Sequence, residues 1–333
     1  MPVCSAHRMD ISNFRTYMFI PATRRQFLTQ AIVEGRFAPD YFVFDFEDAI
    51  RDVDNQANES SLKLCARETL ASFFPLPTAI AAQYFLRVNA VGEASFAADL
   101  DFLWRTRAQL PVAIIQPKIG SAADVQRFAA ELERLEGRGP QRVQIIPLIE
   151  CAAGIAHIDE ILTASPRVAA LCFGHIDYFF ERGTFPIPRS VAESAELVHV
   201  MRTLIAAARR HQLPYIDGGF YYHGHADRLR RHCAWIAHAA AGAIPLGKLV
   251  MHPDQIAILQ QCTTQPPAHN PLETFSFPPP PTANEQRTLA RTIVQAFEQR
   301  SDPTSSVCRV DDQIIPPQMY LLARNILKRE AGN

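Results

Sequence analysis

Paired cysteines, a leader-like apolar segment and any strong excess of charge are all missing from this sequence, and each absence excludes something. The seven cysteines, at 4, 65, 151, 172, 233, 262 and 308, form no CxxC pair. An odd, scattered set is neither a disulfide frame nor a zinc motif, and it points to reduced thiols in the cytoplasm. The N-terminal stretch MPVCSAHRMDISNF is polar and has no apolar centre of signal-peptide length. No uninterrupted apolar run reaches the roughly 18 residues that a spanning helix needs, so a membrane partner is not expected. Thirty-three basic residues against 34 acidic ones leave a net charge of −1, without a long basic run. Nothing therefore offers a groove to a nucleic-acid backbone.

What is present is a long chain with a strong period. Its 333 residues, 48% of them hydrophobic, suffice for one large core and an appendage. Apolar, β-rich runs occur at Tyr17–Ile20, Tyr41–Asp45, Tyr84–Val88, Val112–Gln116, Val143–Ile149, Val168–Gly174, Pro214–Ile216 and Gly247–Met251. Helical patterns lie between them at Arg25–Glu34, Leu62–Phe73, Ser95–Arg107, Ala122–Glu136, Ala192–Arg210 and Ala226–Ala240. Continuous apolar strands joined by helical crossovers predict a parallel sheet covered on its outer face. Eight such units in about 250 residues predict an α/β protein of the (β/α)8 TIM-barrel type. The absence of a Gly-rich loop after the first strand argues against a dinucleotide fold.

The composition changes after Cys262. Residues 1–263 read as the barrel and 264–282 as a proline-rich linker, with seven prolines from Gln265 to Thr282. Residues 283–333 read as a C-terminal extension: a helix at Asn284–Arg300, a hairpin at Val307–Ile315 turning at Asp311–Asp312, and a helix at Pro317–Glu330. This piece is too small for a core of its own and should dock on the barrel or on a neighbouring subunit.

In such a barrel the catalytic groups gather at the C-terminal ends of the strands. Those ends read Arg24, then Asp45-Phe46-Glu47-Asp48, Arg87-Val88-Asn89, Gln116-Pro117-Lys118, Glu150, Gly174-His175-Ile176-Asp177, Asp217-Gly218 and His252-Pro253-Asp254-Gln255. Carboxylates crowded at one mouth repel one another unless a cation sits among them. Oxygen donors without paired histidines favour Mg2+, with Glu150 and Asp177 on adjacent strands as its ligands. A helix N-cap is the alternative for Asp177. Arg87 leaves an apolar strand and needs an anionic partner: a substrate carboxylate, or Glu47 or Asp48 as a structural pair. The expected catalytic set is Arg87, Glu47 and Asp48, and Arg24, Arg87, Lys118, Asp217 and His252 are expected to contact substrate. The pair His223 and His225 reads as a solvated loop with a lesser claim to metal. Cys151 and Cys172 read as core residues.

These motifs, in this order, resemble the citrate lyase beta-subunit-like group of the HpcH/HpaI aldolase family. The resemblance is carried by Phe19-Ile20-Pro21-Ala22-Thr23-Arg24, Phe42-Val43-Phe44-Asp45-Phe46-Glu47-Asp48-Ala49, Leu86-Arg87-Val88-Asn89, Gln116-Pro117-Lys118 and Leu148-Ile149-Glu150. It continues through Phe173-Gly174-His175-Ile176-Asp177, Ile216-Asp217-Gly218 and Met251-His252-Pro253-Asp254-Gln255-Ile256. It implies magnesium on Glu150 and Asp177, Arg87 on the carboxylate of a 2-oxo acid, and Arg24 near a coenzyme A thioester. It also implies a carbon–carbon lyase acting on a malyl- or citramalyl-like acyl-CoA, and a homo-oligomer, a trimer or a multiple of one. Three positions depart from the pattern. Ala22 stands where glycine is usual, and Gln30 where lysine is common. Pro316 falls in Ile314-Ile315-Pro316, where the relatives carry a lid aspartate, leaving Asp311 and Asp312 as substitutes. An aldolase acting on a free hydroxy-oxo acid, or a barrel that binds metal and 2-oxo acid without turnover, are the alternatives.

Overall fold

The structure, a computed structural model, describes residues 13–50, 56–137, 143–185, 194–269, 271, 282–300 and 307–331. Eight strands carry the apolar runs: β1 (Arg15–Pro21), β2 (Tyr41–Asp45), β3 (Tyr84–Arg87), β4 (Ala113–Gln116), β5 (Gln144–Ile149), β6 (Leu171–Phe173), β7 (Tyr215–Asp217) and β8 (Leu246–Val250). Each pairs in parallel with the next, and β8 pairs with β1 to close the barrel. The expected (β/α)8 fold is the observed one.

Strand alternation sorts the side chains into two cores. Tyr17, Val43, Phe85, Ile115, Leu148 and Ile216 fill the barrel interior. Their neighbours Met18, Phe42, Phe44, Leu86 and Ile149 face outward into the helices. The interior is tight enough to dictate a glycine: a Cβ on Gly247 would lie 2.5 Å from the Tyr17 ring. Helix ends follow local chemistry. Ser121 and Asp124 form a capping box that starts the helix Ala122–Glu136, and Gly137 ends it. The helix expected from Ala192 begins at Ala195, where the Ser194 side chain accepts from the Leu197 N–H.

The C-terminal extension is a helix Ala283–Glu298, a hairpin of β9 (Cys308–Val310) and β10 (Gln313–Ile315), and a helix Pro317–Ala331. The hairpin turns at Asp311, which takes a left-handed φ of 52°. Ile293, Phe297, Ile315, Met319 and Tyr320 make a satellite core shared with Ile176 and Phe185 of the barrel. The extension therefore docks on its own barrel. Most of the linker expected at 264–282 lies outside the described residues.

Candidate functional site

The exits of β2 and β3 are locked together by charge. Asp45, at the end of β2, takes Nε and Nη2 of Arg87 at 2.7 and 2.6 Å in a bidentate fork. The remaining Nη1 of Arg87 lies 3.1 Å from Glu47 and 3.9 Å from Asp48. Behind them Asp99 accepts from both amide groups of Asn89 and from Arg67, bracing the two exits. Glu47 is buried, and burial and the charge of Asp48 push its carboxyl up to about 8 against the pull of Arg87 and Lys118. The fork is thus filled from within the chain, and Nη1 is the edge of Arg87 turned toward the acids.

Lys118, just past β4, sits at φ 55°, a left-handed conformation that costs a non-glycine residue about 1–3 kcal/mol. That turn aims its backbone N–H at Glu150 Oε1, 2.7 Å away. Its Nζ reaches Glu93 at 2.5 Å and Glu47 at 3.2 Å. The other carboxylate oxygen of Glu150, Oε2, is buried without a hydrogen-bond partner among the described residues. Burial, then Asp177, then Glu47 and Asp48 hold the Glu150 carboxyl well above its ordinary range. Asp177 lies in the first turn of the helix His175–Arg182 and not on the β6 end, and it is nonetheless the leading charge acting on Glu150. Gly174 makes the approach feasible, since a Cβ there would stand 2.8 Å from Oε2. Glu47, Asp48, Glu150 and Asp177 outnumber Arg87 and Lys118. An orphaned buried oxygen among like charges is what a divalent cation relieves, and an all-oxygen donor set fits magnesium.

Asp217 requires a correction. Its carboxylate does not face the mouth but is enclosed by Lys248, which also donates to the Gly218 carbonyl, by His232 at 2.7 Å and by the Tyr215 hydroxyl at 3.1 Å. Burial alone would raise it, but Lys248 and His232 outweigh burial and hold it well below the usual carboxylate range. With its oxygens committed to this cluster it holds β7 against β8 and is not presented to a substrate. Arg24 is half-buried at the start of the helix Arg25–Ile32. His252 stands half-buried on the rim, its ring 4.4 Å from that of His223. His225 turns the other way and pairs with Asp312. Cys151 caps the short helix Ala152–Ala156, and Cys172 is packed inside the barrel.

Two mouth residues escaped the sequence reading. Glu93, in the loop after β3, bridges Lys118 and approaches Lys63 at 3.9 Å. Tyr221, after β7, feels Asp177, Arg87, Asp48 and Glu150, and burial followed by Asp177 raises its hydroxyl so that it stays protonated. Neither loop carries a period that singles these residues out.

These observations define a class: a closed parallel barrel with an acid-rich C-terminal mouth ordered by one arginine and one lysine. Residues 15–253 match the model of one particular group. The chain belongs to the HpcH/HpaI aldolase/citrate lyase family. It is 28% identical over 195 residues to the L-malyl-CoA/beta-methylmalyl-CoA lyase of Rhodobacter capsulatus, covering 54% of this chain and 60% of that protein. It is 28% identical over 233 residues to the human mitochondrial citramalyl-CoA lyase, covering 67% of this chain and 63% of that protein. The chain thus spans about three fifths of the length of the relatives it matches. The fold is also that of CitE from Mycobacterium tuberculosis, solved with magnesium, acetoacetate and coenzyme A. That likeness has a TM-score of 0.55 at 22% identity, over 96% of this chain and 99% of that one. Among the described residues no helix is long and apolar enough to cross a membrane.

Proposed function

We propose that this chain is a magnesium-dependent carbon–carbon lyase that cleaves a malyl- or citramalyl-like acyl-CoA into a 2-oxo acid, or glyoxylate, and a shorter acyl-CoA. The observation that carries the reading is the orphaned, buried Oε2 of Glu150 among the charges of Asp177, Glu47 and Asp48. Glu150 and Asp177 would hold the cation. When bound, magnesium supplies a Lewis acid for the oxo or hydroxy oxygen of the substrate.

The chain's own groups divide the remaining work. Nη1 of Arg87, held in orientation by the Asp45 fork, positions the substrate carboxylate. Glu47, with its carboxyl pushed up to about 8, has the proton affinity suited to transfer near neutral pH. Asp48 sustains that affinity through its charge. Lys118 fixes Glu150 through its N–H and Glu47 through its Nζ. Tyr221, kept protonated, supplies a hydrogen-bond donor at the wall of the mouth. Arg24 and His252 flank the entrance, and Arg24 is the contact we assign to the coenzyme A moiety.

A second reading is favoured by one feature. Pro316 is buried where the lid aspartate is expected, and Asp312, one of its two candidate substitutes, is paired with His225. An aldolase acting on a free hydroxy-oxo acid needs no such lid acid. Release of 2-oxo acid from malyl and citramalyl thioesters and from their free hydroxy acids, with magnesium and with excess chelator, separates the two. Chelator-sensitive release from a thioester is expected. Release from free acids alone establishes the second reading, and magnesium-independent release contradicts both.

A further inference from the structure

A cluster of different chemistry lies on the rim, apart from the all-oxygen mouth. Among the described residues, His223, His252 and Asp254 bring one ligand atom each within 4.8 Å of one another. We propose that these three residues form a second cation site, selective for a borderline divalent ion such as zinc.

The distances suit such an ion. Asp254 Oδ2 lies 3.2 Å from His223 Nε2 and 3.4 Å from His252 Nδ1. Around a tetrahedral zinc with bonds of about 2.0–2.1 Å, ligand atoms stand roughly 3.3 Å apart. Two edges of the tetrahedron therefore already have their length. The two rings meet edge to face at 4.4 Å, and all three ligand atoms lie within 4.8 Å of one another. Among the described residues, ligation through His252 Nδ1 displaces a long hydrogen bond, 3.3 Å from the Asp254 backbone N–H.

The site is also built before any ion arrives. His223 follows β7, whereas His252 and Asp254 follow β8. Gln255 ties the two segments together, accepting from the Met251 N–H at 3.0 Å and donating to the Phe220 carbonyl at 2.7 Å. Imidazole donors distinguish this site from the mouth, since nitrogen ligands select zinc, cobalt or nickel where oxygen ligands select magnesium. An ion here has a structural consequence. The His223 N–H donates to the Asp312 carbonyl at 2.9 Å, and the Ile314 N–H to the Tyr221 carbonyl at 2.8 Å. Pinning His223 therefore pins the segment on which the C-terminal hairpin rests and from which Tyr221 enters the mouth.

The test titrates untagged, magnesium-saturated protein with zinc, and separately with cobalt, following the visible spectrum. Wild type is compared with His223→Ala, Asp254→Ala and Glu150→Gln. His223 is half-buried and Asp254 exposed, so neither substitution empties a core position. The expected result is binding of about one equivalent of zinc with imidazole-ligated cobalt bands. That binding persists in Glu150→Gln and weakens roughly tenfold or more in the other two. Zinc should also raise the melting temperature of wild type and leave that of His223→Ala unmoved. Equal zinc affinity in wild type, His223→Ala and Asp254→Ala overturns the site, as does binding lost only in Glu150→Gln.

Discussion

Among the described residues the carboxyl group of Glu150 accepts from the Lys118 N–H with one oxygen and faces like charges with the other. Glu47 is in a similar position, pushed up to about 8 by burial and by Asp48. In the metal-free protein near neutral pH, protons therefore do part of the work that a cation does better. The folded value of Glu47 lies above its unfolded value of about 4.3, so its contribution to stability is complete below that value and is lost as pH rises through about 8. Magnesium held by Glu150 and Asp177 would favour the ionised carboxylates and expel the proton. Calorimetry in buffers of different ionisation enthalpy should show proton release on magnesium binding near neutral pH. Release should fade as pH passes about 8, while the apparent affinity climbs to a plateau. Proton-neutral binding at neutral pH contradicts this account of the two glutamates.

Between elements, the critical approach is β6 against β5. Gly174 leaves no room for a side chain, because a Cβ there would lie 2.8 Å from Oε2 and 2.9 Å from Cβ of Glu150. Gly174→Ala should displace the Glu150 carboxylate without changing any charge and weaken magnesium binding or turnover about 10- to 100-fold. Unchanged affinity and rate would show that Glu150 is not held where the metal needs it. The elements themselves were largely legible in the sequence. Strands buried on both faces are continuous apolar runs, and the helices Ala122–Glu136 and Ala226–Ala240 have the boundaries their periodicity predicts. The failures are pairings between distant residues. Lys248 lies inside an apolar run, and nothing local reveals that Asp217, 31 residues earlier, turns inward to meet it. An acidic partner for Arg87 was readable as Glu47 or Asp48, yet Asp45 takes the bidentate fork because β2 and β3 place the two residues opposite one another. For Asp177 a helix start was readable as the alternative to a strand end, and it lies in the first turn of the helix His175–Arg182.

At the scale of the whole molecule, the extension closes over its own barrel. Its two helices and hairpin share a core with the helix His175–Arg182, the element that carries Asp177. The hairpin is stitched to residues 221–223, the segment that carries Tyr221. Two groups at the mouth, Asp177 and Tyr221, are thus positioned by elements that the extension supports. The central claim remains that the acids of the mouth converge on one divalent cation. Manganese, which takes the same oxygen ligands as magnesium, scatters anomalously and marks its own position in a crystal. The account predicts one strong anomalous peak bonded to both Glu150 and Asp177 and absent from Glu150→Gln crystals. No peak bonded to Glu150 and Asp177, or one there that survives that substitution, would contradict it.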